Sequence, residues 1–330
     1  MPTPAREPLI RLGLQIPSFT YPGVPDDRLF ERVTDIARTA ERSGFDSVWV
    51  MDHFYQIPSV GQRDEPMFDA YTLLGALAAV TSQVKLGSMV TGVTYRNPAH
   101  LAKIVTGLDV ISSGRAILGI GAAWNDDEHD GLGFDFPPLR ERFERLEEAL
   151  QICRAMFTQD APSFTGTHYR IHDVLNVPRP VTAGGPPILV GGGGERKTIP
   201  LLARYGDASN FFGDVETIRH KVQVLEEACE KVGRDPAEIT KTRLGGIVVG
   251  TTAEDADRRL LEFARLRGMD EERARWYAVA GDRDSVGEQL EAYLDAGLDG
   301  LVFNLHDAWD VERVALTGEV AGRVLHGAAH

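Results

Sequence analysis

Eight short apolar segments, each separated from the next by enough chain for a helix, constrain this sequence more than any other feature. They are residues 11–16 (RLGLQI), 46–52 (DSVWVMD), 84–90 (VKLGSMV), 115–120 (RAILGI), 186–190 (PPILV), 207–212 (DASNFF), 241–249 (KTRLGGIVV) and 299–303 (DGLVF). Runs that are apolar throughout, rather than alternating, suit strands buried on both faces of a parallel sheet. Amphipathic spacing predicts helices from about Asp26, capped by that residue and ended at Gly44, and over 69–82, 98–112, 138–158, 195–205, 214–232, 252–266, 284–296 and 309–326. In the 138–158 helix, Leu139, Phe143, Leu146, Leu150, Cys153 and Phe157 recur every three or four residues and form a core stripe. Strand and helix alternating eight times predict an α/β fold closed as a (β/α)8 TIM barrel.

Three stretches exceed that minimal alternation. Residues 53–68 and 121–137 follow the second and fourth strands and belong at the C-terminal mouth, where barrels carry their active-site loops. Residues 159–185 precede the fifth strand, and the alternating SFTGTHYRIHDV within Pro-rich flanks reads as a hairpin-like insertion. No linker interrupts the pattern, so residues 1–330 read as one domain.

Charge narrows the partners. A formal net charge of −14 disfavours nucleic acid and anionic membrane, both of which need a basic surface. The start MPTPAREPLI has no leader-like apolar stretch, no segment approaches a membrane span, and a cytoplasmic protein is expected. Cys153 and Cys229 fall within predicted helices at no metal-ligand spacing and read as buried packing residues. The adjacent acids Asp126, Asp127, Glu128 and Asp130 cannot all converge on one ion, so no metal is expected. Lys85 and Lys241 stand at strand beginnings, on the wrong face for Schiff-base chemistry, and no P-loop or G-x-S-x-G occurs.

The remaining chemistry gathers at predicted strand ends. Asp52 and His53 follow the second strand, where a side chain points into the mouth and an imidazole can exchange a proton near neutral pH. Gly191, Gly192, Gly193 and Gly194 follow the fifth strand and open a helix, a place where exposed N–H groups attract phosphate. Attraction at a helix start contributes only about 0.3 to 1 kcal/mol per charge, so further donors are expected from Arg196, Lys197 and Thr198. Trp124 offers a wall for a planar ring, and Asn125 a hydrogen bond to a ring edge or hydroxyl.

Taken in order, VWVMDHF (48–54), VKLGSMVTGVTYRNPAHLAK (84–103), LDVISSGRAILGIGAAWNDDE (108–128) and ILVGGGGER (188–196) resemble the luciferase-like monooxygenase superfamily, and within it the oxidoreductases that use the deazaflavin coenzyme F420. The resemblance runs over nearly the whole chain. It implies a homodimer with the cofactor's tricyclic ring at the barrel mouth and hydride transfer between deazaflavin C5 and a small organic substrate. It implies Asp52 and His53 as the catalytic pair facing the ring, with His53 as acid or base. Ser88, Met89 and Val90 match a bulge that in relatives holds a non-proline cis peptide against one ring face, and Gly191 to Gly194 match the phosphate loop.

One departure bears on substrate. Deazaflavin-dependent sugar-phosphate dehydrogenases carry a glutamate where this chain has Trp124, and their phosphate-binding lysines and arginine lack clear counterparts here, which argues against a sugar phosphate. Two alternatives share the fold. The first is a two-component monooxygenase using FMN and dioxygen, against which the DHF stretch together with WNDDE favours the deazaflavin. The second is a non-catalytic cofactor-binding barrel, against which an intact His53 and a polar mouth both speak.

Overall fold

The computed structural model describes residues 7–327; the first six residues, part of the N-terminal stretch read above for a leader, and the last three lie outside the described residues. Strands β1 (Leu12–Ile16), β2 (Ser47–Val50), β3 (Lys85–Ser88), β5 (Ala116–Gly121), β8 (Ile188–Gly191), β9 (Ala208–Phe211), β10 (Thr240–Val249) and β12 (Gly300–Asn304) pair in that order, all parallel, and β12 returns to β1. The sheet is therefore closed, as the alternation predicts. Helices α1 (Leu29–Arg42), α2 (Ala70–Val80), α3 (Pro98–Ile111), α5 (Leu139–Thr158), α6 (Thr198–Tyr205), α7 (Val215–Val232), α10 (Arg283–Asp295) and α11 (Val311–Leu325) surround it.

Strand residues divide by parity into two cores. Leu12, Leu14, Val48, Val50, Leu118 and Ile120 face out and pack against the helices, whereas Trp49, Met89, Ile117, Leu189, Leu244 and Val302 face in. Trp49 is wholly buried and fills the middle of the bore. Its space comes from neighbours without side chains: a β-carbon at Gly87 would lie 2.6 Å from the Trp49 ring and 2.8 Å from the Ile117 carbonyl oxygen. Burying each such large side chain stabilises the fold by about 1.5–3 kcal/mol.

Local signals mostly hold. Asp69 and Asn97 cap α2 and α3 by accepting from Thr72 N–H and Ala99 N–H. Asp26 does not cap a long helix; it begins a 3-10 turn, Asp26–Arg28, with no side-chain cap, and α1 starts after it. Both cysteines are buried, Cys153 in α5 and Cys229 in α7. No helix among the described residues is long and apolar enough to cross a membrane.

The expected excursions are present. The loop after β2 has no regular element before α2, the stretch after β5 carries the short helix α4 (Asp126–Leu132), and β6 (Phe164–Thr165) with β7 (Arg170–Ile171) forms the antiparallel hairpin before β8. Two-residue β4 (Thr91–Gly92) pairs with the end of β5. A fourth excursion was not expected. Between β10 and α10, helix α8 (Ala253–Leu266) is followed by α9 (Glu271–Tyr277) and β11 (Ala278–Gly281), and β11 pairs with the distal half of β10. YAVAG is too short and small-residued to announce a strand; what forms it is the ten-residue length of β10, which outruns the barrel and leaves an edge to be covered.

Candidate active site

Strand β2 ends by presenting Asp52 and His53 at the C-terminal mouth, but the two side chains are held differently. The Asp52 carboxylate, 2 % exposed, is gripped by both terminal nitrogens of Arg96, at 2.5 and 3.1 Å. Burial pushes its carboxyl above the ordinary value, with the guanidinium pulling the other way. Arg96 also reaches Asp69 at 3.1 Å, so this fork fastens the β2 end to the start of α2. Asp52 lines the mouth as one half of an ion pair.

His53 is partnered by Glu128, which α4 carries to it. The Nδ1 nitrogen lies 2.8 Å from Glu128 Oε2, and that oxygen also accepts from Tyr95 O–H at 2.9 Å and Asn125 Nδ2–H at 2.8 Å. The other oxygen accepts from the backbone N–H of Phe54 and, at 3.0 Å, of Tyr55. Burial works to raise the Glu128 carboxyl, but the hydrogen bonds from His53, the Tyr55 backbone and Tyr95 outweigh it and hold its pKa below the ordinary carboxylate value. An ionised Glu128 has no proton to give, so His53 Nδ1 is the donor; among the described residues Nε2 has no partner. The Trp124 indole stands edge-on to the imidazole, ring centres 5.4 Å apart.

His53 and the glycine run line one cavity of about 330 Å³, within the range of small-molecule sites. The peptide between Met89 and Val90 is cis and both residues contribute to the wall. Gly191 is required by packing, because a β-carbon there would lie 2.6 Å from Val90, and Gly192 by its φ of +107°. Gly193 is different. A β-carbon there would lie no closer than 3.7 Å to any atom, and its φ is not in the left-handed range, so the fold does not demand glycine. Its N–H and that of Gly194 have no backbone partner among the described residues, and Lys197 leaves the start of α6 without a side-chain cap. Those donors are free for an anion.

A second cavity of about 390 Å³ adjoins the first, sharing His53, Met89, Trp124, Phe212 and Leu244. Its roof is the unexpected excursion after β10. A chain of hydrogen bonds links that roof to the first cavity: Tyr277 O–H donates to Asn304 Oδ1 at 2.7 Å, Asn304 Nδ2 to Gln15 Oε1 at 2.6 Å, and Gln15 Nε2 to the Met89 carbonyl at 3.0 Å.

Of the residues singled out from sequence, Asp52, His53, Met89, Val90, Trp124 and all four glycines meet at the first cavity. Four do not line it. Ser88 shares the outward parity of Leu86 and is fully buried, Asn125 spends its amide on Glu128, and Arg196 and Lys197 line a separate surface hollow with Arg204. Leu139, read as core, is exposed and lines the cavity, while Phe143 packs against the core and lines the cavity as well, so the stripe of α5 is fully buried only from Leu146 onward. Thr198, expected beside the glycines as a further donor, lines the wall, whereas sequence reasoning missed Tyr95, Asn210 and Phe212 there. It also passed over Glu128 as the partner of His53, although Glu128 stands three residues after Asn125, the spacing of one helical turn.

The family model described as luciferase-like monooxygenase matches residues 11–302. The F420-dependent glucose-6-phosphate dehydrogenase of Kineococcus radiotolerans is 31% identical over 303 residues, covering 83% of this chain and 86% of its own, and that of Nocardia farcinica is 32% identical, covering 82% and 87%. The coenzyme F420-dependent tetrahydromethanopterin reductase from Methanopyrus kandleri superposes with a TM-score of 0.77 at 18% identity, over 96% of this chain and 98% of that one. This chain belongs to the luciferase-like monooxygenase family.

Proposed function

We propose that this protein is an F420-dependent oxidoreductase that moves hydride between the deazaflavin ring and a small organic substrate at the barrel mouth. The observation that carries the reading is that a partly apolar cavity has His53 on its wall and uncommitted glycine N–H groups on the same lining. A molecule with a planar ring and a phosphate fits that pairing. Gly193, Gly194 and the start of α6 would hold the phosphate, while Met89, Val90 and Trp124 would bound the ring. Bound there, the deazaflavin supplies the site that accepts or releases hydride.

The protein's own part is positional and protonic. Glu128 fixes the tautomer of His53 and leaves Nε2 without a partner among the described residues, free to take the proton released when a substrate hydroxyl carbon gives up hydride and to return it in the reverse direction. Holding the substrate against the ring supplies rate by orientation. Asp52 acts by fastening Arg96.

Fluorescence titration with F420 and FMN side by side tests the reading, and tighter binding of FMN would overturn it. The glycine loop has a sharper test. Gly193→Val should leave thermal stability unchanged, because its β-carbon meets nothing closer than 3.7 Å, yet weaken F420 binding by about tenfold or more, roughly 1.4 kcal/mol. Undiminished affinity would remove the loop from cofactor binding. The same reading takes residues 1–330 as one cytoplasmic domain that forms a homodimer, for which light scattering should give twice the chain mass of 36.2 kDa.

A further inference from the structure

The second cavity carries a charge pattern at odds with the rest of the molecule. In a chain of net charge −14, no carboxylate among the described residues lines it, while two guanidinium groups, Arg267 and Arg273, do. Arg267 is half-buried, donates to the Ser59 carbonyl at 3.2 Å and lies over the Phe263 ring, with no ion-pair partner among the described residues. The Arg273 side chain has no hydrogen-bond or ion-pair partner among the described residues. Of the nearby acids, Asp257 and Glu271 pair with Arg275, and Asp270 caps α9.

The remaining wall is mostly apolar, and its polar groups are few. Met51, Ile57, Met269 and Trp276 contribute hydrocarbon, sulfur and ring surface. Gln15, Asn304 and Tyr277 are bonded to one another in the chain that ends on Met89. A polyhydroxylated guest would bring more hydroxyls than such a wall can partner, and each one left unpaired weakens binding. A ring-bearing or aliphatic guest with one anionic end loses nothing to the wall and gains two guanidinium groups suited to a carboxylate.

We propose that this second cavity is the substrate chamber and that it takes an apolar organic carboxylate, anchored by Arg267 and Arg273 with its reacting carbon toward His53. The inference rests on the first cavity being the F420 site, because the two cavities meet at His53 and Trp124.

Calorimetric titration of the F420-loaded protein with 2-naphthoate, methyl 2-naphthoate and glucose 6-phosphate tests it. The acid should bind at least about tenfold more tightly than its ester, and Arg267→Ala or Arg273→Ala should each weaken the acid by about tenfold while moving the ester less than about twofold. Arg267→Lys, which keeps the charge, should retain part of the affinity and separates loss of charge from loss of packing; Arg273 is exposed, so its replacement leaves the fold intact. Equal affinity for acid and ester, indifference to both alanine variants, or displacement of naphthoate by glucose 6-phosphate would each overturn the proposal. F420 affinity of the same variants is read separately by its fluorescence. Failure of the unmodified protein to bind F420 defeats the cofactor reading, whereas intact F420 binding without acid preference defeats only the chamber.

Discussion

Replacement of His53 by alanine lowers turnover by about 10²- to 10⁴-fold, the contribution of a positioned acid–base group, and moves F420 affinity by less than about threefold, or roughly 0.6 kcal/mol. The asymmetry follows from placement. His53 stands where the two cavities meet, with Nδ1 committed to Glu128 and Nε2 without a partner among the described residues, while the proposed phosphate donors lie on the glycine loop. Steady-state kinetics beside a fluorescence titration separates the two quantities. If turnover survives the substitution, the imidazole has no protonic role and the mechanism must be abandoned.

Glu128→Gln tests the next link outward. Three donors converge on one carboxylate oxygen and two on the other, so an amide, which has a single acceptor oxygen, must turn its own N–H groups toward at least two of them. Each buried donor left facing a donor costs about 1–3 kcal/mol, and a loss near the middle of the combined range, about 4 kcal/mol in denaturant unfolding, is expected. Turnover should fall as well, because His53 loses the acceptor that sets its tautomer. The pH dependence has a definite sign. Folding holds the Glu128 pKa below its ordinary 4.5, so its stabilisation is complete above that value and disappears as pH falls through the lower folded-state value. The stability difference between native protein and variant should therefore be flat near neutrality and shrink in acid. A difference that grew on acidification would contradict the carboxylate's ionised state.

The barrel was legible because its evidence is periodic. Eight apolar runs can be counted, and a residue such as Val48 or Leu118 needs only its place in a run to be assigned to the core. Asp52, His53, Trp124 and the glycine run were legible for a different reason, since each directly follows or closely trails a strand and the mouth collects whatever stands there. What escaped notice depends on contacts between distant segments. Nothing near Ser88 tells whether its side chain faces in or out, because the parity of β3 is fixed by pairing with β2 and β5. Arg196 sits beside the glycines in sequence, but the turn into α6 sends it to another hollow. The excursion after β10 resembled an ordinary helix and connection, and its part in roofing a chamber arises only from pairing with the far half of that strand. Glu128 was visible yet misfiled among acids, since its meaning depends on a histidine 75 residues earlier.

Trp49 also determines how molecules travel. With its indole lodged between Gly13 and Gly87, Trp49 fills the bore at that height. A guest of either cavity is then expected to enter and leave on the side where the strands finish. The opposite end is thereby released from duty in turnover, and its short connections can be redesigned for heat resistance without disturbing catalysis.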